Sequence, residues 1–170
     1  IGTICAEAGE KIARVSANMA MAADMEVRAS STATTGAYSS ACQRGLPAIL
    51  MERGGGGRFT DSEVQAYKRD VKNIMIRMGL LSGEEVHTVQ QKNVTRAEYL
   101  EAETDGLWYP VFSAGDTFAG GAVLGTVRDI WGNLLLEYRA DYPGIILYQT
   151  VGLGVKTGDP LIAYGEYVDR

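Results

Sequence analysis

The feature that most constrains the fold of this chain is a short apolar run followed directly by a carboxylate and a glycine loop. The run extends from Leu46 to Met51, Glu52 ends it, and four glycines occupy positions 54 to 57. A continuous apolar run of this length, placed after Gly45, is typical of a strand buried on both faces of a parallel or mixed sheet. The segment therefore predicts a buried strand that leads into a loop.

The segment after the glycines carries the strongest helix signals in the sequence. Thr60 and Glu63 have the spacing of a capping box, and Gly79 is suited to ending the helix. Between them the apolar residues recur at steps of three and four: Val64, Tyr67, Val71, Ile74, Met75 and Met78. We expect a helix from Asp61 to Met78. A strand, a glycine loop and a helix in this order predict the middle of an α/β layered domain, with a partial mixed sheet.

The residues before the strand predict helices and a polar connection. An amphipathic helix is expected from Ala6 to about Ala23, because its apolar residues keep helical spacing. The stretch from Met25 to Gly36 is small and polar and predicts a loop. A short helix is expected from Tyr38 to Arg44, stopped by Gly45.

The second half of the chain has a different pattern. From Glu103 onward, short apolar runs alternate with turn residues, which is typical of a small all-β module. Two similar segments contain the turns Gly115-Asp116 and Gly158-Asp159, and this repeat suggests two interlocked hairpin units in a β barrel or sandwich. Trp108 and Trp131 are expected in its core or rim. The predicted domains are an α/β part at 1–82, a linker at 83–102 and a β barrel-sandwich at 103–170.

Composition narrows the possible partners. The chain has 170 residues, of which 46% are apolar and 22% charged, so it can bury an ordinary core. A net charge of −5 without a basic cluster argues against nucleic acid as a partner.

The apolar runs are too short for a membrane span and the pattern of a secretion signal is missing, so a cytoplasmic protein is expected. Cys5 and Cys42 are expected to be reduced and buried. Because the chain begins at Ile1 on helix-like sequence, it is expected to be a piece of something longer.

Glu52 is the candidate catalytic residue. A carboxylate at the end of a buried strand lies where open α/β sheets place their sites, and partial burial there would suit it to moving protons. The alternative is that Glu52 only pairs with Arg53 or Arg58 and orders the loop. Tyr38 could hydrogen-bond a substrate, although an aromatic residue on a short helix is more often part of the core.

Other chemistries receive little support from the sequence. The glycine run is not followed by Gly-Lys-Ser/Thr and has neither Walker nor dinucleotide spacing, so its use is to let the backbone pass close to a ligand. His87 is the only histidine, and one histidine without a pair of cysteines does not supply the three or four ligands of a zinc site. A serine hydrolase is improbable because there is no Gly-x-Ser-x-Gly elbow and no second histidine.

The segment from Gly45 to Arg58 resembles the catalytic stretch of the succinylglutamate desuccinylase/aspartoacylase family. In that family a Gly-x-Pro turn, an apolar strand, the catalytic Glu and a glycine loop follow one another. The second half of the chain is similar to the family's C-terminal β domain, which resembles lipoyl and biotinyl carrier folds. The motifs that carry this second likeness are Gly106-Leu-Trp-Tyr-Pro110, Asp129-Ile-Trp-Gly132, Pro143-Gly-Ile-Ile146 and Val155-Lys-Thr-Gly-Asp-Pro160.

The resemblance implies a zinc-dependent hydrolase that cleaves an N-acyl amide of an amino acid or a similar small molecule. Glu52 matches the family's general base and acid, and Arg53, Arg58 and Tyr38 are possible substrate contacts. The family's zinc ligands are an upstream His-x-x-Glu pair and a later His, and this chain has neither. The zinc ligands are therefore expected from a missing N-terminal part, with a complementing half or a homo-oligomer as possible partners.

Two non-catalytic alternatives bear on this interpretation. The chain could be a fragment or a degenerate relative that acts as a binding or assembly subunit, in which case an apolar sheet edge should be exposed. A carrier function is improbable because the exposed turn from Arg128 to Asn133 has no lysine. Lys156 lies in one of the Gly-Asp repeats, where lysine suits the turn.

Overall fold

The chain is represented by a computed structural model that describes residues 2–5 and 9–169. The described residues divide into two compact units. The first extends to Asn93 and includes the last residues from Val168, and the second comprises 94–167. The division falls within the predicted linker at 83–102, and the later part of that segment is a strand, β4 (Lys92–Glu101).

The first unit contains part of a mixed sheet, as predicted. Its strands are β1 (Gly2–Cys5), β2 (Val27–Ser31) and β3 (Ile49–Met51), in the order β3-β1-β2. β1 is parallel to β2 and antiparallel to β3. The sheet is thus built from residues that are distant in sequence, with helices in the connections.

Three helices in the described residues belong to the first unit: α1 (Glu10–Ala22), α2 (Ala37–Gln43) and α3 (Asp61–Arg77). The capping box predicted for α3 is confirmed, because the Thr60 side chain accepts from the Glu63 amide while the Glu63 side chain accepts from the Thr60 amide. Gly79 follows the helix with a φ of 72°, which favours glycine. Residues 6–8 of the predicted first helix lie outside the described residues.

The polar connection predicted from Met25 to Gly36 is wrong in part, because β2 occupies its centre. The strand buries Val27, Arg28 and Ala29. The guanidinium of Arg28 donates to the Asn93 side chain at 3.2 and 3.1 Å. β1, at the start of the chain, has no counterpart among the predicted elements either. Short strands of small and polar residues carry no period-2 hydrophobic pattern, so local sequence does not reveal them.

The predicted burial of the apolar run is also wrong. β3 is shorter than the run and is an edge strand of the described sheet. Leu46, which precedes the strand, is 63% exposed, and Leu50 within it is 39% exposed. The burial of α3 also differs from its predicted apolar stripe, since Val71 is exposed whereas Asp70 is fully buried. An apolar pattern predicts which residues can be buried, but which faces are covered depends on the neighbouring elements.

The strands of the second unit belong to two sheets, in keeping with the all-β module that the alternating pattern predicted. Their orders are β4-β11-β9-β6 and β10-β5-β7-β8. Neither sheet closes on itself among the described strands, so the barrel-like description is not confirmed. The strands after β4 are β5 (Gly106–Pro110), β6 (Thr117–Phe118), β7 (Val123–Arg128), β8 (Leu134–Arg139), β9 (Gly144–Gln149), β10 (Gly154–Val155) and β11 (Pro160–Asp169).

Side chains from both sheets form one core in the second unit. Trp108 is buried in it, in edge-to-face contact with Tyr138 at 5.6 Å between ring centroids. Gly125 lies against the Trp108 ring so closely that a Cβ would come within 2.2 Å of it, so a glycine is required there. Trp131, by contrast, is 82% exposed between β7 and β8.

The predicted Gly-Asp repeat is confirmed at the level of hydrogen bonds. The Asp116 carboxylate accepts from the Ser113 amide at 2.8 Å, and the Asp159 carboxylate accepts from the Lys156 amide at the same distance. The glycine before each aspartate has a positive φ, 92° at Gly115 and 88° at position 158. The two segments therefore form the same turn with the same side-chain lock.

No helix in the described part of the chain combines the length and the apolar character needed to cross a lipid bilayer.

Candidate functional site

Glu52 follows β3 directly and its side chain is exposed. The partial burial expected for it is therefore not found in this structure. Its position in the sheet also differs from the expected one. Because β3 is antiparallel to β1 and Met51 pairs with Gly2, Glu52 lies beside the beginning of β1. It thus lies at the amino ends of the two parallel strands, β1 and β2, and not at their carboxyl ends.

The backbone on both sides of Glu52 is held by a single hydroxyl group. The Tyr67 hydroxyl, on α3, donates to the Met51 carbonyl at 3.1 Å and accepts from the Arg53 amide at 2.9 Å. Tyr67 is half-buried and sits one turn before Asp70 on the same helix. The helix therefore holds the peptide units before and after the candidate catalytic residue.

The Arg53 side chain is bound to two groups of the first unit. Its Nε and Nη2 donate to the Asp70 carboxylate at 2.7 and 3.0 Å, a bidentate ion pair. Nη2 also donates to the Asp24 carbonyl at 2.6 Å. Hydrogen bonding to Asp70 raises the pKa of the Arg53 guanidinium. The pair is largely buried, with Asp70 inaccessible to solvent.

A second buried carboxylate, Asp24, completes this network. It accepts from the Thr88 amide and hydroxyl, both at 2.7 Å, from the Val89 amide at 3.2 Å, and from Arg69 Nε at 2.9 Å. The Asp24 amide in turn donates to Asp70 at 2.8 Å. Two buried carboxylates are thus matched by two guanidinium groups, which satisfies the requirement that buried charges be paired.

The acid stability of the first unit is expected to depend on Asp24. Burial alone raises the pKa of this carboxyl, but the hydrogen bonds from Thr88, Val89 and Arg69 outweigh burial and lower the pKa from 3.8 to about 2. A carboxyl whose pKa is lower in the folded state stabilises that state above its unfolded pKa. This contribution should be complete above about pH 5 and should be lost as the pH falls towards 2.

The measurement is denaturant unfolding followed by circular dichroism at 222 nm, from pH 7 to pH 2, for the parent chain and Asp24→Asn. The Asn variant should be less stable at pH 7, and the difference should shrink below pH 4 as the parent carboxyl is protonated. A constant difference over the whole range would contradict the assignment. Asp61→Asn, which alters an exposed carboxyl on α3, is the control.

Arg58 and Tyr38 are placed on other segments. Arg58 is exposed and ends the glycine turn, residues 54–58, in which its amide donates to the Gly55 carbonyl at 3.1 Å. Gly54 has a φ of 76°, which favours glycine, and a Cβ there would lie in tight contact with the Arg58 carbonyl, at 3.2 Å. Tyr38 is half-buried in the first turn of α2. Of the four predicted residues, Arg53 is bonded within this network, and Glu52 lies between two backbone groups that Tyr67 binds.

Sequence reasoning missed the residues that support Glu52. Asp24, Asp70 and Thr88 are polar, and Tyr67 stood out only as part of the apolar stripe of the helix. A signal for Asp70 was present, because it follows Tyr67 by three positions and precedes Ile74 by four, which places it on the inward face of α3. A charged residue at such a position needs a buried partner, and the partner is Arg53.

The described residues contain no group of three or more His, Cys, Asp or Glu side chains arranged to hold a metal ion. His87 is exposed and lies 3.0 Å from the Glu85 carboxylate, which also pairs with Arg77. Cys42 is a free, buried thiol, as expected, whereas the side chain of Cys5 lies outside the described part. The described side chains therefore do not fit a zinc site by themselves.

Comparison with known proteins finds a curated relative and solved structures of the same fold. No family model matches the sequence. The chain is 28% identical over 127 residues to the N-alpha-acetyl-L-2,4-diaminobutyric acid deacetylase of Halomonas elongata, covering 71% of this chain. It is similar to the product-bound structure of the ectoine utilization protein EutE of Ruegeria pomeroyi, with a TM-score of 0.87 at 21% identity over 98% of this chain.

Two further solved structures have the same fold. They are a succinylglutamate desuccinylase from Silicibacter sp. TM1040, with a TM-score of 0.83 at 21% identity over 99% of this chain, and a succinylglutamate desuccinylase/aspartoacylase from Rhodobacter sphaeroides, with a TM-score of 0.81 at 22% identity over 98% of it. The resemblance predicted from sequence is thus confirmed at the level of the fold. The chain spans 53% of each of these three structures and 37% of the curated deacetylase.

Proposed function

We propose that this chain is the C-terminal part of a zinc-dependent hydrolase of the succinylglutamate desuccinylase/aspartoacylase family, and that Glu52 is its general base and acid. The observation that carries the proposal is the placement of Glu52 between a short strand and a glycine turn, held by Tyr67, in a chain with the fold of these N-acyl hydrolases. The proposed substrate is an N-acylated amino acid or a similar small molecule.

The chemistry assigned to this chain is proton transfer. The Glu52 carboxylate would take a proton from water while the water oxygen forms a bond to the acyl carbon. The same proton would then pass to the amide nitrogen as the carbon–nitrogen bond breaks, which releases a carboxylate and an amine. Exposure of Glu52 on this chain leaves it accessible to water and substrate.

Arg58 and Tyr38 are the proposed substrate contacts. Arg58 is an exposed cation at the end of the glycine turn, suited to binding a carboxylate of the substrate. Arg53, the third residue considered for this role, has Nε and Nη2 engaged by Asp70 and the Asp24 carbonyl. We therefore assign Arg53 to holding the loop in place.

The zinc ion is proposed to be held by another part of the enzyme, since the described residues of this chain lack a ligand group. The part required is the half of the family's length that this chain does not span. Apolar side chains left exposed on β3 and α3, among them Leu50, Val71 and Met75, are the proposed surface on which that half packs. This exposure also favours the second candidate function, a non-catalytic assembly subunit.

Two measurements separate these functions. Zinc per mole of protein is determined by elemental mass spectrometry for this chain alone and for the complete enzyme, meaning this chain together with its metal-binding half. Release of acetate from N-alpha-acetyl-L-2,4-diaminobutyric acid, and of succinate from N-succinylglutamate, is then measured before and after removal of zinc by a chelator. We expect about one zinc per complete enzyme and almost none on the chain alone.

Hydrolysis that stops on chelation and returns with zinc would support the proposal. A tightly held zinc on the chain alone would contradict the division of the site between two halves. A complete enzyme that binds zinc and hydrolyses neither compound, nor other N-acyl amino acids, would favour the assembly subunit.

A further inference from the structure

We propose that Tyr67 is a positioning residue, whose hydroxyl fixes the peptide backbone on both sides of Glu52 and so sets the position of that carboxylate. The inference rests on the proposed function of Glu52, and it assigns a role to a residue on the helix that follows the glycine turn.

The hydrogen bonds made by Tyr67 explain how one side chain can do this. Its hydroxyl donates to the Met51 carbonyl and accepts from the Arg53 amide, so it bridges two backbone groups separated by one residue. A tyrosine hydroxyl can donate and accept at the same time, whereas phenylalanine has the same ring and can do neither. The residue enclosed by the bridge is Glu52.

Asp70 supports the same backbone segment through the side chain of Arg53. Asp70, one turn further along α3, binds the guanidinium of Arg53 through both carboxylate oxygens. α3 thus binds the residue after Glu52 twice, once through its amide and once through its side chain. The N-terminus of the helix is capped by the capping box between Thr60 and Glu63.

The hydrogen bonds from Tyr67 matter because the segment that follows Glu52 is rich in glycine. Gly54, Gly56 and Gly57 all adopt positive φ values, and glycine is the least restrained residue in the unfolded and loop states. A carboxylate followed by such a segment needs support from outside the loop to keep one position. Proton transfer is sensitive to this, because a misplacement of about 1 Å can reduce a rate by about 100-fold.

The first test uses the chain itself and two variants, Tyr67→Phe and the control Tyr109→Phe, which alters an exposed tyrosine of the second unit. Amide hydrogen exchange is measured by NMR. Protection of the Arg53 amide should fall by about tenfold in Tyr67→Phe, and the backbone order parameter of Glu52 should decrease. Neither quantity should change in the control, and the amides in the middle of α3 should keep their protection.

The second test uses the complete enzyme defined above. Tyr67→Phe should lower kcat by between about 10- and 100-fold while KM for the N-acyl amino acid stays within about twofold, because substrate contacts are intact and only the carboxylate is displaced. A loss of overall stability would instead lower the amount of folded enzyme, which active-site titration with a tight inhibitor measures separately.

The outcomes can be told apart from failure of the proposed function. If Glu52→Gln leaves hydrolysis unchanged, the proposed function fails, and the positioning role falls with it. If Glu52→Gln abolishes hydrolysis but Tyr67→Phe leaves kcat unchanged, Tyr67 is not a positioning residue even if the Arg53 amide loses protection. Loss of protection together with a lower kcat at constant KM is the result we expect.

Discussion

Replacing Glu52 by glutamine is expected to lower kcat of the complete enzyme by about 10²- to 10⁴-fold with little change in KM. The amide of glutamine has nearly the shape of the carboxylate, but it does not accept a proton from water or deliver one to the leaving amine. The measurement is the steady-state rate of acetate release from an N-acetyl amino acid by the zinc-loaded enzyme. Zinc content should stay the same, since Glu52 is not among the proposed ligands.

The control is Glu84→Gln, which makes the same chemical change at an exposed glutamate in the connection after α3. It should leave kcat and KM within about twofold of the parent values, as surface substitutions away from special features usually do. Equal rates for Glu52→Gln and the parent enzyme would show that Glu52 only orders the loop, which is the alternative that its sequence context left open. A large rise in KM at constant kcat would assign Glu52 to substrate binding.

The second large effect is expected on stability, from Asp70→Asn. This variant should lower the free energy of unfolding of the first unit by about 3 kcal/mol, the lower end of what breaking a buried ion pair costs. Asp70 is inaccessible to solvent and accepts three hydrogen bonds, two from the Arg53 guanidinium and one from the Asp24 amide. Asparagine turns one of these acceptors into a donor and leaves the guanidinium without its charge partner.

The two units carry different spectroscopic probes, which makes this measurement specific. The described helices all lie in the first unit, so circular dichroism at 222 nm follows its unfolding. Trp108 and Trp131 lie in the second unit, so tryptophan fluorescence follows that one. Asp70→Asn should shift the dichroism transition by more than Asp61→Asn, which removes an exposed charge in the first turn of the same helix and should cost less than about 1 kcal/mol.

A double-mutant cycle tests whether the lost stability comes from the ion pair. Arg53→Met combined with Asp70→Asn should be less destabilised than the sum of the two single variants, because no guanidinium is then left without a partner. Additive effects would mean that the Asp70 contribution comes from its bond to the Asp24 amide, and that the pair with Arg53 adds little.

The local features of the fold were predictable because their signals are short. A helix start needs a hydroxyl and a carboxylate three residues apart, and Thr60 and Glu63 meet this requirement by their spacing in the sequence. The same holds for the Gly-Asp turns at 115–116 and 158–159, whose aspartates bond backbone amides three residues earlier. Such elements depend on contacts within four residues, so a short stretch of sequence contains all of the interacting groups.

The strands were harder to predict from the sequence, because a strand forms by pairing with another strand that can be distant along the chain. β1 and β2 have no apolar alternation, and they exist because they pair with each other across more than twenty residues. The apolar run at 46–51 did contain a strand, but its burial depends on what covers it. In the described structure β3 pairs with β1 and leaves Leu50 partly exposed. The barrel form of the barrel or sandwich expected for the second unit is not confirmed among the described strands for a related reason, since closure depends on the order in which strands pair.

For the candidate site, the position of Glu52 between an apolar strand and a glycine turn could be predicted from the amino-acid order, and with it the resemblance to N-acyl hydrolases. The groups that hold this residue could not, because they come from distant parts of the chain. Tyr67 follows Glu52 by fifteen positions and Asp24 precedes it by twenty-eight, and no local pattern connects them. Their contacts arise because packing brings α3 and the end of α1 to the start of the glycine turn, where buried polar groups must find partners.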